Sequence, residues 1–167
     1  LCRRFVADDP PASLVDKAVR VWKANHDSPR QIALVMETIL LSPEFKATWG
    51  QKVKLPLESV ASFARATNMD FNPNLTMNWL LMSMGQRVFT WPTPDGHPDR
   101  SDWWLNTMGW LQRWNMPYVM MWDGSKLGKI PNPEVPAGLK SWGHMASHFC
   151  DRMLGYQPPE ATLALLT

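Results

Sequence analysis

Much that would reveal a chemistry is missing from this chain. Cysteine occurs twice, as Cys2 and Cys150, which is too few for a disulfide framework. Two buried thiols are the simpler expectation, with a single bridge as the alternative. Excess charge is absent as well. Seventeen basic and fifteen acidic residues leave a formal net charge of +2, which gives no footprint for nucleic acid or an anionic membrane surface. No apolar run is long enough to span a bilayer, and stretches such as Tyr118 to Trp122 are short. Sustained period-two alternation is lacking, which argues against a large sheet, and no fixed-period repeat occurs. There is no GxSxG elbow, no Gly-rich phosphate loop and no dinucleotide fingerprint. His148 and Cys150 are two residues apart on one predicted helix and point in different directions, so they make no catalytic pair. A charged start followed by an apolar stretch and a small-residue cleavage site is not present, so no signal peptide is read. Leu1 to Val6 reads as a helix entered partway. Leu163, Leu165 and Leu166 run to the terminus without a cap, so both ends are expected to continue in a longer protein.

What is present points to a folded, helical chain. Apolar residues make up 45% of the sequence, enough for a real core. Ten tryptophans, eleven methionines and fifteen prolines stand out. A tryptophan supplies a large apolar area and an indole N–H that needs a partner. Composition alone favours a thick core as their use, ahead of a partner interface or a stacking surface. The 167 residues suit a single helical domain, or the C-terminal part of a larger one.

Helix signals recur along the chain. Ser13, with Asp16 three residues on, precedes the stripe Leu14, Val15, Ala18, Val19 and Trp22. Ser28-Pro29, with Gln31 in the box position, precedes Ile32, Val35, Met36, Ile39 and Leu40. Ser42-Pro43-Glu44 ends that helix and starts a short turn. Pro56 opens a third long helix carrying Leu57, Val60, Phe63 and Ala64. Asn72-Pro73 opens a fourth, with Leu75, Trp79 and Met82 in register and Gly85 as its stop. A fifth is predicted from Ser101, with Trp103, Trp104, Met108, Trp110, Leu111 and Trp114 nearly all the way round, as in a helix that is buried or covered by a partner. A last full helix is expected from about Leu139 to Leu154, stopped by Gly155, and Pro158-Pro159-Glu160 opens another. Gln86 to Arg100 and Asp123 to Gly138, rich in proline and glycine, read as long ordered loops. The fold class is therefore all-α: an irregular helical assembly with long ordered Pro/Trp-rich loops, which are often functional.

Two places offer chemistry. In the first, Asp95, His97, Asp99 and Asp102 lie close in sequence among Phe89, Trp91, Trp103 and Trp104. Sugar-handling sites pair an acid with a base or nucleophile and pack aromatic faces on sugar rings. The plainer reading is turn chemistry at Pro94-Asp95-Gly96 and favourable negative charge at a helix start for Asp99 or Asp102. In the second, His144 and His148 are four residues apart, and Asp151 shares their helical face. That spacing suits a zinc site, whereas a solvated polar face is the plainer reading, because no partner that would orient the ligands is identifiable. Trp91, Trp103, Trp104, Trp110 and Trp114 are the candidate binding residues.

The blocks LCRRFVADDPP (Leu1 to Pro11), ETILLSPEF (Glu37 to Phe45), KVKLPLE (Lys52 to Glu58), GQRVFTWPTPDGHPD (Gly85 to Asp99) and RWN (Arg113 to Asn115) follow one another in this order. In that order the chain resembles the C-terminal part of the bacterial domain of unknown function 1800 family. The resemblance covers about Leu1 to Asn115. It implies an exported protein, periplasmic or extracellular, whose N-terminal half precedes this chain. It carries over no catalytic residue, and it leads us to expect an aromatic residue at the position of His97. The functional expectation is a non-catalytic helical scaffold that packs on the N-terminal part of the same protein or on a partner protein, with no cofactor implied. The alternatives are a carbohydrate- or extracellular-polymer-active protein using the Asp/Trp cluster, and a surface metal site on the last full helix. Whether the chain is an enzyme is not decided by its sequence.

Overall fold

The computed structural model describes residues 1–130, 138–139 and 141–165. The protein is all-α, as expected, and gathers into two compact units. One comprises Leu1–Leu55 with Trp91–Thr107, the other Pro56–Thr90 with Met108–Thr167. Among the described residues no helix is long and apolar enough to cross a membrane.

The first unit is built from α1 (Cys2–Phe5), α2 (Ala12–Ala24), α3 (Gln31–Leu40) and α4 (Pro43–Ala47). Its core joins Cys2, Val6 and Ala7 to Leu14 and Ala18 of α2 and Val35 and Ile39 of α3. Only part of each predicted stripe goes inward, and Val19, Trp22, Ile32 and Leu40 stay exposed. The helix starts differ from the sequence reading in two places. α2 begins after Pro11, with no side-chain cap, and Ser13 lies inside it with its hydroxyl donating to Glu44 at 3.2 Å. α3 is preceded by Arg30. Ser28 instead accepts from the Arg30 backbone N–H at 3.2 Å, a local serine turn that competes with capping. Where the sequence reading has a short turn, the structure has the five-residue helix α4, capped by Ser42. Its hydroxyl accepts from Phe45 N at 3.0 Å and donates to the Ile39 carbonyl at 2.8 Å. We expect Ser42→Ala to lower stability by about 1 kcal/mol, read from a urea titration.

The second unit comprises α5 (Pro56–Ala66), α6 (Leu75–Ser83), α7 (Thr107–Met121), α8 (Trp142–Leu154) and α9 (Glu160–Ala164). It also holds one two-residue antiparallel pairing, β1 (Asp70–Phe71) on β2 (Gly128–Lys129), with Phe71 opposite Gly128. β2 lies inside a stretch expected to be irregular. Gly128 has φ 142°, and a Cβ there would sit 2.0 Å from the Asp70 carbonyl oxygen, so only glycine permits the pairing. Residues 131–137 of that stretch are outside the described residues.

Methionine, not tryptophan, fills this core: Met69, Met84, Met116 and Met120 pack with Val60, Phe63, Leu80, Leu81 and Leu127. Unbranched methionine adapts to irregular gaps in a core. The expectation of a thick tryptophan core is therefore corrected. Trp104 is buried and Trp91 half-buried, and the other eight tryptophans are exposed.

Two further expectations are corrected. The stripe Leu75, Trp79, Met82 of α6 faces outward, while Leu80, Leu81 and Met84 go in. α6 is apolar on most sides, so periodicity could not choose its inner face. The single helix expected from Ser101 is two pieces: a 3-10 turn at Ser101–Trp103 in the first unit, and α7 from Thr107 in the second. α7 also continues through Pro117. The stops at Gly85 and Gly155 hold, with φ of 90° and 72° that side-chain-bearing residues rarely adopt.

Candidate functional site

The central segment divides between the units. Its first residue, Gln86, is buried and belongs to the second, where its side-chain oxygen accepts from the Leu57 N–H at 2.7 Å, near the start of α5. That donor has no partner within its own helix. From Trp91 onward the segment belongs to the first unit.

There it is tied to the N-terminal block by charge. The Asp8 carboxylate accepts from the backbone N–H of Ser101 at 2.7 Å and from the Ser101 hydroxyl through the same oxygen, Oδ2. Its Oδ1 accepts from Lys52 Nζ at 2.8 Å. Lys52 also donates to the Asp99 backbone carbonyl at 2.6 Å and lies 3.4 Å from the Asp99 carboxylate. Arg4 donates to that carboxylate at 2.7 Å. Arg100 reaches Asp9 at 3.3 Å and Asp102 at 3.4 Å. Burial by itself would raise the Asp8 pKa. The hydrogen bond from Lys52, those from the Ser101 side chain and backbone, and the attraction of the Lys52 charge outweigh it, holding Asp8 far below the usual carboxylate range. The Asp9 hydrogen bond and charge, with Asp102 behind them, raise Arg100.

An aromatic cluster sits on the same segment. The His97 ring lies 4.7 Å from Trp91 and 6.0 Å from Trp104, and Trp103 stands edge-on to Trp91 at 6.2 Å. The imidazole thus packs where the resemblance led us to expect an aromatic ring. Trp104 donates its indole N–H to the Pro98 carbonyl at 2.8 Å. Trp91 Nε1 and His97 Nδ1 are buried without a hydrogen-bond partner among the described residues.

Each predicted carboxylate has an internal partner. Asp95 accepts from the Thr93 hydroxyl within its turn. Asp99 is held by Arg4 and Lys52. Asp102 accepts from the Trp103 backbone N–H at 3.1 Å as well as pairing with Arg100. A glycoside-hydrolysing pair needs one carboxyl kept protonated, whereas Asp8, the strongly perturbed carboxyl of this cluster, is shifted the other way. Asp8, Lys52 and Arg4 were not singled out from the sequence. The signal available was that the blocks LCRRFVADDPP, KVKLPLE and TWPTPDGHPD each contribute a member.

On α8, capped by the Ser141 hydroxyl at His144 N (3.2 Å), His144 and Asp151 are exposed. The His148 ring packs 5.4 Å from Phe149 with Nε2 buried and unpartnered among the described residues. Among these residues no three His, Cys, Asp or Glu come together in a way that can hold a metal ion. Cys2 and Cys150 are free thiols.

Trp110 and Trp114 belong to a different feature. α7 turns Gly109, Met116 and Met120 to the core. Arg113, half-buried beside them, donates to Ser59 at 2.8 Å, and burial lowers its pKa. The opposite face carries Trp110, Leu111, Trp114, Tyr118 and Met121, all exposed. These positions lie within about 100 degrees of one another around the helix. Trp114 is 83% exposed and Tyr118 71%.

A family model described as "Protein of unknown function (DUF1800)" matches residues 1–167, extending past Asn115 where the recognisable blocks stop. No curated protein and no solved structure matches the chain.

Proposed function

The chain belongs to the DUF1800 family, and from that premise we propose that it is a non-catalytic helical scaffold whose second unit docks through the outer face of α7. The observation that carries this reading is the aromatic stripe itself. Surface helices normally present polar residues outward, and contiguous exposed apolar patches mark interaction sites. Here the polar residue within the stripe is Thr107, and its rings are tryptophan and tyrosine, which are enriched at interface hot spots. Leu75 and Trp79 of α6, in the same unit, are exposed as well. The occupant on this reading is the N-terminal part of a longer protein or a partner protein. Family membership supports a bacterial, exported setting, and fractionation of the native host tests it. The carbohydrate-active and metal-site alternatives have less support, because the carboxylates of the central segment are engaged within the fold and the α8 residues assemble no three-ligand group.

A face of this kind is expected to bind an apolar dye when the chain is dilute and to drive association when it is concentrated. Trp114→Glu should suppress both while changing unfolding free energy by less than about 0.5 kcal/mol, since the side chain it replaces is largely in solvent. A monodisperse chain that binds no dye at any concentration contradicts the proposal.

A further inference from the structure

We infer that the occupant of the α7 face is a second copy of this chain, packed antiparallel about a two-fold axis near Trp114; this rests on the docking role proposed above and names its partner. Three features of α7 carry the step.

The first is charge. A two-fold interface sets the same patch against itself, so any charge on it meets its own sign. The exposed face formed by Trp110, Leu111, Trp114, Tyr118 and Met121 holds no ionisable group that is charged near neutral pH.

The second is position. α7 runs from Thr107 to Met121, which makes Trp114 its midpoint and the most exposed residue of the stripe. Reversal about that point sets Trp110 against Tyr118 of the other copy, a pairing of two aromatic rings, and Thr107 against Met121.

The third is area. With an exposed tryptophan or tyrosine side chain offering on the order of 100–200 Å², the stripe offers at most about 600–800 Å² per copy. Two copies then bury at most about 1,200–1,600 Å², the size of a specific stable interface.

Sedimentation of the 167-residue chain across a range of concentrations tests this. The expected result is a monomer–dimer equilibrium with no larger species. Trp114→Glu and, independently, Tyr118→Lys should weaken dimerisation at least 100-fold with unchanged helical circular dichroism. Ile32→Glu, at an exposed apolar site on α3, should leave it unchanged. A chain that stays monomeric, or that grows into open-ended aggregates, overturns the second copy. So does a dimer that survives both α7 variants or is lost in Ile32→Glu. If the chain stays monomeric but binds the apolar dye in a Trp114-dependent way, only the second copy fails and the docking face stands. If dye binding is absent too, both fail.

Discussion

Trp104→Ala is expected to cost about 3–5 kcal/mol, the range for removing a large buried aromatic side chain. Trp104 is the one tryptophan that is fully in the interior, at 3% exposure. Its ring packs near His97, and its indole N–H satisfies the Pro98 carbonyl. Truncation therefore opens a cavity and leaves a loop carbonyl without its donor. Trp104→Phe separates the two contributions. It keeps most of the packing and gives up the hydrogen bond, so about 1–2 kcal/mol is expected. Urea titrations followed by circular dichroism measure both. The same titrations on Trp103→Ala, an exposed neighbour, should show a change below about 0.5 kcal/mol.

Asp8→Asn comes next, at about 2–3 kcal/mol, because it removes a charged acceptor from Lys52 and from both Ser101 donors. The variant also predicts a pH signature. The folded pKa of Asp8 lies below its unfolded value, with the Lys52 and Ser101 hydrogen bonds overcoming burial. Its contribution is therefore fully present above the unfolded value of about 4 and is lost as pH falls below it. The wild-type chain should lose stability progressively as pH falls below about 4, and Asp8→Asn should flatten that limb; because the folded pKa lies far below the unfolded one, part of the difference between the two proteins should persist at about pH 2. An equal acid loss in both would assign the titration to other carboxyls.

The sequence made the helices legible wherever a cap, a proline and a one-sided stripe agreed. Pro56 is the clearest case, because it places a rigid residue where the helix lacks a donor to lose, whereas Ser42-Pro43, read as starting a short turn, opens the five-residue α4. α6 and α7 were harder for one shared reason: residues apolar on most sides carry no phase. Leu75, Trp79 and Met82 were in register, yet they face outward. The run from Trp103 to Trp114 looked like one helix because hydrophobicity continues through Leu105 and Met108, while the chain leaves one unit for the other there.

The site was legible in outline only. Local spacing drew attention to Asp95, Asp99 and Asp102, and turn or cap bonds are what Asp95 and Asp102 make. The partners of Asp99 are Arg4 and Lys52, 95 and 47 positions away, and no periodicity reports contacts at that range. Tryptophan count pointed to a core because burial is the common fate of a large ring. Exposure of eight of the ten reversed that reading and moved attention to α7.

The account separates two roles: charges of the central segment hold the first unit together, and aromatic residues of α7 offer the second unit to a partner. A thermal melt of the dilute chain in an apolar dye reads both at once, since the native baseline reports the exposed face and the midpoint reports stability. Asp99→Asn should lower the midpoint by about 2–4 °C, for a loss of about 1 kcal/mol from the Arg4 and Lys52 contacts, and leave the baseline as in wild type. Trp114→Glu should lower the baseline and leave the midpoint. An Asp99→Asn variant as stable as wild type, or a Trp114→Glu variant with wild-type baseline and lowered midpoint, would contradict the account.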